Sequence, residues 1–155
     1  MLSNYIKSEN CHVCQFCCRF RNSNLWDVPL FTDEEKLELE KKYSDIIFER
    51  VNGLWTPRLI SENEFFNCPF LNHEIGCILG KEKPFDCTIW PFYVMDKNGK
   101  IVLAKCNDCE TINKIDKDSL IFLLQTYLLQ IKEYIDKYPD YIKNYIPDYE
   151  IFFYL

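Results

Sequence analysis

The feature that most constrains this chain is where its nine cysteines stand among 155 residues. They fall in three groups: Cys11, Cys14, Cys17 and Cys18; then Cys68, Cys77 and Cys87; then Cys106 and Cys109. So many thiols must be oxidised in pairs, bound to metal, or buried as small apolar side chains. A disulfide scaffold is the weak reading. Hydrophobic residues make up 48% of the chain and aromatics 16%, enough to build a core without cross-links, whereas disulfide-dense folds are small secreted chains short of apolar material. An odd number of cysteines would strand one thiol. The first ten residues include Lys7 and Glu9 and no apolar run, so no secretory leader is expected and the expected location is a reducing one, the cytoplasm.

The spacing favours metal. Cys11-His12-Val13-Cys14-Gln15-Phe16-Cys17-Cys18 separates thiolates by two residues, which lets a tight loop aim sulfurs at one ion in zinc and iron–sulfur sites. The adjacent pair Cys17-Cys18 does not easily point both side chains at one tetrahedral ion, so one of them serves a second metal, bridges metals, or is a buried spectator. Cys68-Pro69-Phe70-Leu71 carries a Cys-Pro step of the kind found in ferredoxin loops, where proline fixes the turn and removes a donor. Cys77 and Cys87 are too distant for a local knuckle and must join it through tertiary structure. Taken singly, each is as well explained as a buried small hydrophobe. Cys106-Asn107-Asp108-Cys109 follows a predicted strand, as in a zinc-ribbon or rubredoxin-type knuckle. The rival is a thioredoxin-like redox pair, which wants a βαβ setting. His12 reads as an exposed loop residue and His73, between Asn72 and Glu74, as surface.

Between the groups, Thr32 with Glu35 forms a capping box ahead of a helix near 33–45, whose apolar face carries Leu39, Tyr43, Ile46 and Ile47. Asn52-Gly53 predicts a hairpin joining 47–51 to 54–56, and Asp96-Lys97-Asn98-Gly99 a second joining 92–95 to 100–104. One long apolar helix is expected over 118–138, capped by Asp118 and stopped by Pro139. The aromatic tail Tyr141, Tyr145, Tyr149, Phe152, Phe153 and Tyr154 is expected to pack back on the body or on a partner. The predicted class is α+β: a single domain over 1–155, with a cysteine-rich metal-binding core at 11–109 and a helical, aromatic C-terminal extension at 116–155. A net charge of −6 with no basic face argues against a nucleic-acid partner. The longest apolar stretch, Leu120–Ile131, is broken by Gln125, Thr126 and Gln130 and falls short of the ~20 residues that cross a bilayer, so no membrane partner is expected.

The opening Cys11–Cys18 run followed by Arg19, the full Cys68-Pro69-Phe70-Leu71 segment, and Cys77-Ile78-Leu79 leading to Lys83-Pro84-Phe85-Asp86-Cys87-Thr88-Ile89-Trp90-Pro91-Phe92 together resemble the zinc- or iron-chelating CxxCxxCC family, often called YkgJ-like. The resemblance spans roughly 11–109. Lys83 stands where that family has arginine before proline, and Thr88 where it has arginine after cysteine; the cysteine frame is intact. The flagellin lysine methylase resembles the same family through its cysteine motif, which implies a metal-dependent protein modification.

The expected ligand set is therefore Cys11, Cys14, Cys17, Cys18, Cys68, Cys77, Cys87, Cys106 and Cys109, holding an iron–sulfur cluster, of the 4Fe-4S kind, or Zn2+. All-thiolate sites suit both. The Cys-Pro step, Trp90 and the many phenylalanines around dispersed cysteines are expected to make a sheltered apolar pocket, which tips the expectation toward iron–sulfur. Two roles follow: a redox or protein-modification function, or a structural zinc module that docks a protein or peptide through its aromatic C-terminal region. No catalytic base, nucleotide loop or glycine-rich cradle stands out, and the chain has four glycines.

Overall fold

The computed structural model describes residues 2, 13–21 and 26–155; Cys11 and His12 lie outside the described residues. The chain mixes helices with mostly antiparallel sheets, an α+β protein. It divides into two compact units, one ending at Thr88 and the other running from Ile89 to Leu155. The division falls ahead of the second hairpin, so Cys106 and Cys109 share a unit with the segment 116–155 rather than with the other thiols.

In the N-terminal unit, β1 (Arg19–Phe20) pairs antiparallel with β5 (Phe65–Asn67), which pairs with β4 (Ile60–Glu62). The hairpin β2 (Phe48–Val51) and β3 (Leu54–Pro57) turns at Asn52 and Gly53, with φ of 46° and 86°, the left-handed geometry that Asn-Gly supplies at least cost. Helix α1 (Asp33–Lys42) starts as expected. The Thr32 hydroxyl accepts the Glu35 N–H at 3.1 Å, and the Glu35 carboxylate accepts the Thr32 N–H at 2.8 Å. It ends earlier than the predicted 45, with Tyr43 as its C-cap. Leu39, Tyr43 and Ile46 pack into the core, but Ile47, placed on the same face from sequence, is 52% exposed because the helix has ended and the chain turns toward β2. Phe70 is the centre of this core, with the rings of Phe31, Tyr43 and Phe48 at 5.9, 5.6 and 6.3 Å. Cys68, Phe20, Val28, Leu39 and Leu79 complete it.

In the C-terminal unit, β8 (Phe92–Lys97) and β9 (Lys100–Lys105) form the expected hairpin about Asn98-Gly99, at the centre of a four-stranded sheet. The outer strands come from the aromatic tail, which packs back as backbone pairing rather than as a helical extension. β10 (Lys143–Asn144) runs parallel to β8, and β11 (Glu150–Tyr154) antiparallel to β9. The β11 register shifts between Ile151 and Phe153, and Phe152, the residue between them, meets Phe92 edge-on at 5.1 Å.

The single helix expected over 118–138 is two helices, α3 (Lys117–Gln125) and α4 (Leu128–Lys137), and the cap is Asp116, which accepts the Ser119 N–H at 2.9 Å, not Asp118. Thr126 explains the break. Its N–H and hydroxyl both turn back to the Leu123 carbonyl, at 3.2 and 2.7 Å, and the Tyr127 N–H bonds Leu124. These tightened bonds, with a hydroxyl competing for a backbone acceptor, end the α-helical ladder. Leu120, Leu124, Ile131 and Ile135 still face inward from both helices. No helix among the described residues is long and apolar enough to cross a membrane.

Candidate metal centre

The site begins with a turn. Gln15 takes a left-handed φ of 52° and starts the short 3-10 turn Phe16–Cys18, closed by the Cys18 N–H on the Gln15 carbonyl at 3.0 Å. The two adjacent sulfurs lie 3.9 Å apart. From Cys18 the chain enters β1, whose register with β5 continues one step further: the Cys68 N–H donates to the Cys18 carbonyl at 2.8 Å. One sheet edge thereby joins the first cysteine group to the second, a contact across fifty residues of sequence.

Cys68-Pro69 then turns, with the Leu71 N–H on the Cys68 carbonyl at 2.9 Å. The little hairpin β6 (Leu71–Asn72) and β7 (Gly76–Cys77) returns Cys77 opposite Leu71. Helix α2 (Phe85–Ile89) carries Cys87; its start is tied by the Asp86 carboxylate accepting the Leu30 N–H at 3.3 Å.

Cys17, Cys18, Cys68, Cys77 and Cys87 form one electrostatic neighbourhood, since each raises the proton affinity of at least one of the others. Contact with the Cys18 sulfur, then burial, pushes Cys17 well up. At Cys18 the Cys17 contact favours the thiolate, but burial and the charges of Cys68, Cys87 and Cys77 outweigh it, and the value rises. Burial pushes Cys68 up to about 12 and raises Cys77 and, strongly, Cys87.

Opposing this, backbone N–H groups are aimed at sulfur: Phe70 at Cys68, and Leu79 and Gly80 at Cys77. Donors on a sulfur favour its thiolate, and such bonds tune thiolate ligands in metal sites. Lys83 adds positive charge that acts on Cys17 and Cys77.

The donor set, all sulfur and apolar-walled, fits a thiophilic cation. Among the described residues, however, no three His, Cys, Asp or Glu side chains stand close enough to hold an ion as they are, so binding would have to draw the sulfurs inward.

Of the nine predicted ligands, five share this electrostatic neighbourhood. Cys14 is exposed, Cys11 lies outside the described residues, and Cys106 and Cys109 belong to the other unit. None of the described cysteines is joined in a disulfide.

His73 is half-exposed as expected, yet it is tied in: its ring meets Gln15 at 2.9 Å and Glu62 at 3.2 Å, and its carbonyl accepts from Gln15 at 3.0 Å. This tie between the first loop and the β6–β7 turn had no sequence signal, because single polar residues 58 apart carry no periodicity. Trp90, read as shelter for a cluster, stands in the C-terminal unit against Tyr93 at 5.7 Å.

No protein-family model, no curated protein and no solved structure matches the chain.

Proposed function

We infer that this chain is a metal-binding protein that holds an iron–sulfur cluster, of the four-iron kind, or alternatively a zinc ion, through the thiols of its N-terminal unit. The observation that carries the reading is the gathering of five cysteines from four separate segments, two of them with backbone N–H groups trained on sulfur. Apolar packing alone asks for neither feature. Cys68, Cys77 and Cys87, with Cys17 or Cys18, would hold the metal, and Lys83 would offset the negative charge of a thiolate shell. The group itself would supply either electron transfer or cross-linking of the fold. The likeness to the CxxCxxCC family belongs to the same reading, as do a cytoplasmic setting and a redox or protein-modification role. The alternative role is a zinc module without catalysis that docks a protein or peptide partner. Against docking through the tail, Tyr149 and Phe152 are already engaged with Tyr93 and Phe92.

A second reading has its own support. Cys18, Cys68 and Cys77 pack in the apolar cluster, and no ready ion-holding triad stands among the described residues. These are also the marks of thiols that serve only as small core side chains.

Anaerobic purification with iron, acid-labile sulfide and zinc all counted decides between them. Brown protein that bleaches with dithionite supports the cluster, and colourless protein with stoichiometric zinc supports the alternative. Protein free of all three, before and after reconstitution, leaves the core reading. Cys68→Ser is expected to lower metal content and solubility together, because site formation contributes folding energy.

A further inference from the structure

Away from the thiols, the C-terminal unit holds a groove of about 250 Å3. Its apolar lining is Ile101 of β9, Ile135 of α4, then Pro139, Ile142 and Leu155. Two local features build it. The Leu155 N–H donates to the Ile101 carbonyl at 2.9 Å, which carries the β9–β11 ladder one step past β11. Pro139 follows the end of α4, and the Ile142 N–H donates to the Pro139 carbonyl at 3.0 Å, which turns the chain. Ile135 is buried, while Ile101, Ile142 and Leu155 are only half-buried, so the groove leaves apolar surface for a further group to cover.

The remaining lining residues are Lys132 and Asp136 of α4. Each directly follows a buried isoleucine, Ile131 and Ile135, and so stands at the border of the helix's apolar face. They are one turn apart, about 5–6 Å between Cβ atoms, yet among the described residues neither is in an ion pair. One apolar groove therefore carries one cation and one anion at its rim. An alkyl carboxylate would meet Lys132 but set a second negative charge beside Asp136, and an alkylammonium would do the reverse. A head group bearing both charges on neighbouring atoms satisfies both. Its cationic end suits Asp136, which lies in the last turn of α4, where helix carbonyls add negative potential. The volume is below the roughly 300–1,000 Å3 of drug-sized sites, so the occupant is small.

We propose that this groove binds a free apolar α-amino acid. Lys132 takes its carboxylate, Asp136 its ammonium, and Ile101, Ile135, Ile142 and Leu155 its side chain. The site lies wholly within the C-terminal unit and needs neither metal nor thiol, so its failure leaves the metal-binding reading untouched.

The test is an amide NMR titration of the full chain with L-leucine to millimolar concentration. Saturable shifts are expected at Ile101, Ile135 and Ile142. N-acetyl-L-leucine, without the ammonium, and L-leucinamide, without the carboxylate, should each bind about 10-fold more weakly, the usual effect of losing a charged hydrogen bond. L-alanine, three carbons shorter, should be weaker by about 10-fold or more. Lys132→Met should weaken leucine about 10-fold and leave leucinamide unchanged. Asp136→Asn should weaken leucine likewise and leave N-acetyl-leucine unchanged. That crossed pattern is one a merely structural role would not produce. Both side chains are exposed, and the amide spectrum itself shows whether a variant is folded; should one unfold, the three ligands compared on wild-type protein decide. No saturable shift with leucine overturns the proposal. Equal or tighter binding of either derivative also overturns it, since the groove would then take a peptide terminus or any apolar surface rather than the doubly charged head group.

Discussion

At the scale of single residues, the thiols differ in what surrounds them, and the differences are testable. Cys17 and Cys18 touch at 3.9 Å, but Cys18 alone packs against the apolar cluster. If one of them is a spectator, replacing each in turn by Ala should leave metal content normal in one variant and low in the other; equal and total loss at both would instead indicate a bridged, multinuclear site. The protonation of the buried thiols also predicts a pH dependence. Cys68 is raised from 9.0 to about 12 by burial, so the folded chain holds this proton more tightly than the unfolded chain. Its contribution to stability is therefore complete below pH 9.0 and is lost as pH climbs toward the folded value. Each tenfold difference in proton affinity between the two states is worth about 1.4 kcal/mol. The melting temperature of metal-free protein should fall steeply above pH 9.0, and Cys68→Ser should flatten that slope. Metal-loaded protein, its thiolates already deprotonated, should resist the same pH rise. The two-residue cysteine spacings were plain in the sequence. That Cys77 and Cys87 join Cys68 was inferred only as a need, because partners set by tertiary folding leave no local pattern.

At the scale of elements, local chemistry predicted structure where it acts within a few residues. The Thr32–Glu35 capping box and the two Asn-Gly turns formed as expected, since each is decided by the backbone needs of its own turn. Thr32→Ala should cost about 1 kcal/mol, a drop of roughly 2–4 °C in melting temperature for a chain of this size. Gly99 has φ of +80° and an added Cβ would meet nothing within 4 Å. Gly99→Ala should therefore destabilise through backbone strain alone, by about 1–2 kcal/mol, with the sheet's hydrogen-exchange pattern otherwise retained. The expected long helix failed for an equally local reason: the apolar face runs on through 120–135, but Thr126 diverts the backbone bonds. Apolar periodicity reports which face is buried and is silent about such a break.

For the whole molecule, the division at Thr88–Ile89 separates a sheet-centred unit from the one that carries the thiol group. Loading with metal should raise amide protection across Cys18, Cys68 and Cys77 by native-state hydrogen exchange, while the β8–β9 core amides change little; uniform protection of both units would count against a site confined to the N-terminal one. The aromatic tail shows the limit of local reading. Its residues announced burial, but whether they would be helix, strand or docking surface depended on the open edges of β8 and β9, which exist only once that hairpin has formed. By itself, the sequence determined the α+β class, the Thr32–Glu35 capping box, the two Asn-Gly turns and the supply of sulfur donors, all being properties of short stretches. Which five sulfurs share one electrostatic neighbourhood was decided by tertiary structure alone. Strand register and burial act between residues far apart in the chain, and no short-range spacing encodes them.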